Sequence, residues 1–260
     1  MTGMHAEPAQ GATDELARRL VAAQQAGTRI ETPDADLTPI DLKAAFEVQH
    51  RSLALLGQPI AGWKAGAKSV DGPIQGAPLP ADRVIRSGAV LDRASYPVLG
   101  LELEIAFRFE RVFEPFSGPY PDDVVRGAIG SMLATIEIVS SRYQEWPAVD
   151  KLLQLADLQN HGALICGEAV PYDAAYPFVA PEMSFTFDGI DVIKGRIANP
   201  CGDPRRLLGW LVNHSVARGL AIGGDVVVTA GTFTGVHFPA GAGTAIGTIK
   251  GFPPVTLTLR

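Results

Sequence analysis

The segment PVLGLELEIAFRFERVF constrains this chain more than any other. Leu101, Leu103, Ile105 and Phe107 alternate with Glu102, Glu104, Ala106 and Arg108. A period of two belongs to an extended chain, so a half-buried β-strand is predicted, with two carboxylates on one face. Taken alone, that pair reads as readily as the solvated side of an amphipathic strand as a cation site. A third carboxylate changes the balance. Glu137 sits in the apolar segment MLATIEIVSS, where an unpaired carboxylate is costly and calls for a cation or a proton. Three carboxylates with open positions suit Mg²⁺ or Mn²⁺ rather than zinc.

Around this strand the pattern predicts an α+β fold with antiparallel sheet dominating the C-terminal two-thirds. Residues 1 to 12 are small and polar, and the extreme N-terminus is expected to be disordered. Leu16, Leu20 and Val21 have helical spacing, giving a helix over roughly 13 to 26. A second helix is punctuated by Thr38 as N-cap, Pro39 at its first position, Asp41 in the first turn and Gly57 as its stop. From Gly57 to Pro97, short apolar runs broken by Gly and Pro predict short strands and turns. Pro121, Asp122 and Asp123 open a helix whose apolar residues run from Val124 to Leu133, and ATIEIVSS then forms a strand. GALICGEAV is expected to be a buried strand, and Asp188-Gly189 marks a hairpin. A helix bounded by Pro204 and Gly219 precedes three or more further strands.

Composition removes several classes of function. The 260 residues include 22 basic and 28 acidic ones, net −6, and the basic residues are scattered, so no stripe exists to follow a nucleic-acid backbone. No window approaches the roughly 18 apolar residues of a membrane span, and the start lacks a signal-peptide pattern, so a cytoplasmic location is expected. Cys166 and Cys201 are in neither a disulfide framework nor a zinc spacing, and read as small core residues. His5, His50, His214 and His237 form no metal spacing either. GxSxG, Walker and GxGxxG patterns are missing, which leaves serine-hydrolase and nucleotide readings without support.

Other residues could carry chemistry. Lys64, in IAGWKAGAKS, is either a surface lysine on a short strand or a desolvated one whose lowered pKa fits it for proton transfer. Asn160 and His161, ahead of the predicted buried strand, are candidates for substrate binding and catalysis, or else plain loop residues. TAGTFTG, residues 229 to 235, suits a small ligand's carboxylate but equally a simple turn.

The ordered set GWKAG, LELEIAF, IEIVSSR, AD before HGALICG, NP ahead of WLVNHSVARGL, and GDVVVTAGTFTG resembles the 2-keto-4-pentenoate hydratase family of the fumarylacetoacetate hydrolase superfamily. The resemblance covers nearly the whole chain, including Gln49 near the end of the second helix. It implies a mixed, rolled β-sheet core with N-terminal helices, residues 1–60 forming the helical portion and 61–260 the β-rich catalytic domain of one compact unit. It further implies Mg²⁺ or Mn²⁺ held by Glu102, Glu104 and Glu137, proton transfer by Lys64, substrate seating by Thr232 and Thr234, and supporting roles for Asp157 in catalysis and Arg142 toward the substrate. The implied activity is a lyase adding water to a 2-hydroxy-2,4-dienoate, or its 2-keto tautomer, to give a 4-hydroxy-2-keto acid in aromatic catabolism. A homo-oligomer and a small 2-keto acid substrate are the implied partners. Gln159, Asn160 and His161 stand where hydratases of the family commonly carry serines. A 4-oxalocrotonate-type decarboxylase is therefore the nearest alternative, with an acylpyruvate-type C–C hydrolase or a non-catalytic partner subunit further off.

Overall fold

The computed structural model describes residues 7–260, so His5 and most of the N-terminus expected to be disordered lie outside the described residues. The helices are α1 (Glu7–Ala26), α2 (Leu42–Leu56), α3 (Asp122–Gly127), α4 (Lys151–Ala156) and α5 (Arg206–Val216). Strands β1 (Ile60–Gly66), β2 (Gln75–Pro80), β3 (Val84–Arg86) and β4 (Ala89–Leu91) precede the long β5 (Gly100–Phe109) and β6 (Ile129–Val139). After them come β7 (His161–Cys166), β8 (Val170–Pro171), β9 (Met183–Phe187) and β10 (Ile190–Asp191). β11 (Val227–Thr232), β12 (Gly243–Ile249) and β13 (Val255–Leu259) complete the set.

Two sheets result. The larger has eight strands in the order β2-β1-β11-β5-β6-β7-β3, with β8 added beside β6; the smaller runs β10-β9-β12-β13-β4. Pairing is mostly antiparallel, with parallel contacts at β1–β11, β3–β7 and β13–β4, so the sheets are mixed. Leu79 of β2 and Leu164 of β7 lie near opposite ends of the strand order yet meet in one buried cluster with Ala106, Leu133 and Val227. That contact requires the large sheet to be rolled. Its other face packs on the small sheet: Leu101, Leu103, Ile105 and Phe107 of β5 share a core with Phe185, Ala245, Val255 and Leu257. Each of those β5 side chains is fully buried, contributing on the order of 2 kcal/mol. A second cluster joins α1, α2 and α4 through Leu16, Leu20, Phe46, Tyr143 and Leu153, forming a helical cap over one end of the sheet.

Local chemistry explains where the elements depart from the sequence pattern. α1 begins at Glu7 rather than near residue 13, because Pro8 is tolerated in a first turn whose amides have no intrahelical partner. The N-cap of α2 is Asp41, not Thr38: its carboxylate accepts from the Ala44 amide at 2.8 Å, whereas the Thr38 hydroxyl donates to the Asp34 carbonyl at 3.4 Å. Gly57 ends α2 at φ 64°, as its sequence position predicts. α3 stops at Gly127, and Ile129 and Leu133 belong to β6, where pairing with nearly the whole of β5 outweighs the helical spacing. β5 itself is buried on both faces rather than half-buried, since the rolled sheet encloses the face that carries Glu104. The Asp188-Gly189 hairpin forms between β9 and β10, both residues at positive φ.

Candidate metal and active site

Four adjacent strands build the site. On the antiparallel pair β5–β6, Glu102 lies directly opposite Glu137, and Glu104 lies opposite Thr135 on one side and Thr232 of β11 on the other. Like charges placed across a ladder destabilise it unless a cation intervenes. One carboxylate oxygen from each of Glu102, Glu104 and Glu137 falls within 4.8 Å of the others, and Glu104 and Glu137 are almost fully buried. The donors are all hard oxygens with room for further ligands, so the set fits Mg²⁺ or Mn²⁺.

The electrostatics point the same way. Burial, and then the neighbouring charge of Glu137, raise Glu102 from 4.5 to about 7, against a smaller opposing pull from Lys64. Glu104 is pushed well above its usual range by burial and by both other carboxylates, although Thr229 donates a hydrogen bond to it. Glu137 is held low: burial would raise it, but Lys64 and His161 outweigh that. Its Oε1 sits 2.5 Å from Lys64 Nζ and 3.2 Å from His161 Nδ1.

Because folding raises Glu102, its effect on the metal-free protein has a definite sign. Stability is unaffected below the unfolded value of 4.5 and is lost as pH rises toward about 7, by on the order of 3 kcal/mol. The metal-free protein is expected to melt lower at about pH 8 than at about pH 5, Mg²⁺ to restore the difference, and Glu102→Gln to reduce it, with the share due to the buried Glu104 remaining. Calorimetric melts with and without EDTA test this, and equal pH slopes for wild type and variant would contradict it.

Lys64, on β1, is buried rather than on the surface. Burial alone would lower its pKa, as expected from sequence, but Glu137, Glu102 and Glu104 together reverse the direction and raise it. Its Nζ also donates to the Gln159 carbonyl at 3.1 Å, so it is held as an ammonium between a carboxylate and a carbonyl. His161 lies behind Glu137 and does not line the cavity. Burial lowers its pKa against the opposing pull of Glu137, and while Nδ1 meets Glu137, Nε2 has no partner among the described residues.

Above the carboxylates opens a cavity of about 470 Å³. Lys64, Asn160 and Thr232 are on its wall, with the three glutamates. Thr234 is not: its hydroxyl accepts from the Leu103 amide at 3.3 Å and tethers the loop after β11 to β5. Arg142 and Asp157 are not on its wall either; they pair with each other in a buried ion pair. Sequence reasoning missed Trp146, Gln154, Lys68 and Lys151, and gave no individual role to Thr229 or Asn199. Asn199 donates to the Ala230 and Gly231 carbonyls at 2.8 and 3.0 Å, fixing the irregular end of β11 that sets Thr232 across from Glu104. Lys151, Gln154 and Leu155 are at i, i+3 and i+4 on α4 and turn one helix face to the cavity, a spacing legible in KLLQLA. Cys166 and Cys201 are buried thiols, as expected. His214 is a packing residue between Phe46 and Trp210, ring centroids 4.3 and 4.5 Å away, and burial lowers it to about 3.

No model of a known protein family matches the chain. A 2-keto-4-pentenoate hydratase from Burkholderia vietnamiensis strain G4 is 28% identical over 256 residues, 94% of this chain and 95% of that protein. Among solved structures, 4-oxalocrotonate decarboxylase from Pseudomonas putida G7, complexed with magnesium and adipate, superposes with a TM-score of 0.84 at 19% identity, covering 96% of this chain and 98% of that one. Fumarylpyruvate hydrolase from Pseudomonas aeruginosa, in complex with Mn²⁺ and pyruvate, gives 0.56 at 14% identity over 78% and 90% of the two chains. The rolled, mixed sheet with carboxylates on its enclosed face is thus the fumarylacetoacetate hydrolase fold. The chain is thus similar end to end to 2-keto-4-pentenoate hydratases in sequence and to 4-oxalocrotonate decarboxylase in fold.

Proposed function

We propose that the protein is a Mg²⁺- or Mn²⁺-dependent lyase that adds water to a 2-hydroxy-2,4-dienoate, or its 2-keto tautomer, giving a 4-hydroxy-2-keto acid. The observation that carries this reading is the convergence of three carboxylates with a buried ammonium at the floor of one cavity. Glu102, Glu104 and Glu137 would hold the ion, which supplies Lewis-acid polarisation of the substrate's carboxylate and 2-oxygen. Lys64 Nζ, held by Glu137 and the Gln159 carbonyl, keeps a proton at the cavity wall, gives it to the far carbon of the dienol and is recharged by the proton that the 2-hydroxyl releases on ketonisation. His161 orients Glu137 from behind. Asn160 and Thr232 stand where they can orient the substrate, while Val139, Trp146 and Val236 exclude bulk water. The same reading includes aromatic catabolism in the cytoplasm and a homo-oligomer.

Loss of CO₂ from a diacid is a second reading, favoured by one feature. Apart from Lys64, Lys68 and Lys151 are the charged groups on the cavity wall outside the glutamate trio, and neither has an ion-pair partner among the described residues. A substrate with an anionic far end would meet them. Lys151→Met is expected to raise KM for a 2-oxo-3-enedioate about fivefold and leave KM for 2-hydroxypenta-2,4-dienoate unchanged. Equal effects on both substrates would remove Lys151 from substrate discrimination. Ultraviolet assays of the purified protein with Mg²⁺ or EDTA, with products identified by mass, decide the reaction: metal-dependent gain of water supports the hydratase, and loss of CO₂ the decarboxylase. No turnover of either substrate would overturn both.

A further inference from the structure

Between α4 and β7 the backbone does something unusual. Leu158, Gln159 and Asn160 have φ of 45, 53 and 57°, three consecutive non-glycine residues in the left-handed region. Side chains crowd the backbone there, and such residues normally occur singly, so the turn persists only where its surroundings enforce it. The enforcing group is the Arg142 guanidinium. Nη2 donates to the Asp157 carbonyl at 2.6 Å, before the turn, and Nη1 donates to the His161 carbonyl, after it, and to the Ser140 carbonyl at 2.9 Å. Nε donates to the Asp157 carboxylate, which also takes the Arg142 amide at 2.9 Å. The turn closes on itself where the Asn160 amide meets the Asp157 carbonyl at 2.8 Å.

What the strained turn achieves lies on its inner side. It aims the Gln159 carbonyl at Lys64 Nζ, puts the Gln159 and Asn160 side chains on the cavity wall, and delivers His161 to β7 with its ring against Glu137. We propose that Arg142 is a positioning residue of the active site: by bracketing both ends of the 158–160 turn it holds the backbone carbonyl that fixes the Lys64 ammonium beside Glu137. A lysine at this position keeps the charge but loses the planar fork needed to reach carbonyls on both sides of the turn.

A double-mutant cycle separates positioning from mere stabilisation. Glycine adopts the left-handed region without penalty, so Gln159→Gly lowers the need for the bracket. In folded, Mg²⁺-loaded protein, Arg142→Lys is expected to cut kcat about twentyfold with KM within about threefold, and the same substitution in the Gln159→Gly background to cut it less than about threefold. Equal factors in both backgrounds would overturn the proposal. The kinetic arm rests on the proposed lyase activity; a crystal structure of Arg142→Lys does not, and is expected to show the turn out of the left-handed region and the Gln159 carbonyl beyond hydrogen-bonding reach of Lys64. A turn and contact preserved in that structure would also overturn it. Should Arg142→Lys fail to fold, the apolar pair Arg142→Met with Asp157→Leu, which removes the fork without leaving a buried charge, enters the same cycle with the same expected and contrary outcomes.

Discussion

Glutamine in place of Glu137 is expected to weaken Mg²⁺ or Mn²⁺ binding by at least about a hundredfold and to lower metal-dependent turnover by about a thousandfold. The side chain keeps its size, so the packing of β6 between β5 and β7 is undisturbed. Three things are lost together. The converging trio loses one anionic donor, the 2.5 Å contact to Lys64 loses its counter-charge, and His161 loses the carboxylate that orients it. Without Glu137 the burial of Lys64 meets less opposition, and its pKa is expected to fall, which weakens its hold on the proton it is to deliver. Isothermal titration with Mn²⁺ and steady-state assays on the same preparation read both effects. Unchanged metal affinity would show that the cation binds elsewhere, and unchanged turnover would remove Glu137 from the reaction.

Much of this site was legible because a strand has a period of two. Alternation in LELEIAF alone places Glu102 and Glu104 on one face, and the apolar setting of Glu137 asks for a cation or a proton. Their meeting was not legible in the pattern, since it depends on a strand register that puts Glu102 across from Glu137, 35 residues later in the chain. Lys64 is harder still: β1 reaches the site through β11, a parallel neighbour far away in sequence, and a lysine flanked by glycines carries no mark of where its ammonium ends. The rolling of the sheet, which buries the Glu104 face of β5, follows from contacts between strands at the ends of the order. Arg142 shows the opposite failure. The resemblance gave it a supporting role toward the substrate, while the residue that pairs with it, Asp157, is identifiable only once the chain has turned through α4. Thr234 in the TAGTFTG loop is similar, a hydroxyl spent on the backbone of β5 rather than on a ligand.

Alanine at Asp157 is expected to destabilise the protein by about 3–5 kcal/mol. The Asp157 carboxylate is fully enclosed, and burial pushes it above its usual range even against the pull of Arg142 and Ser141, so the pair is close to balance rather than strongly favourable. Removing one member is a different matter. It leaves a guanidinium buried at 4% exposure with carbonyl oxygens but no counter-charge, an uncompensated charge in a place water does not reach. Removing both is expected to cost less: Arg142→Met combined with Asp157→Leu puts an apolar contact between the segments that follow β6 and α4, and its loss of stability should be smaller than that of Asp157→Ala alone by about 2 kcal/mol. Thermal melts should place Asp157→Ala on the order of 10 °C below wild type, with the double variant between them. A double variant less stable than the single would mean that the hydrogen bonds to the 157, 140 and 161 carbonyls, rather than the charge, dominate the energetics of this corner. In either case the apolar double variant should stay poorly active however well it folds, because methionine offers those carbonyls no donor and leaves the 158–160 turn free to relax away from Lys64.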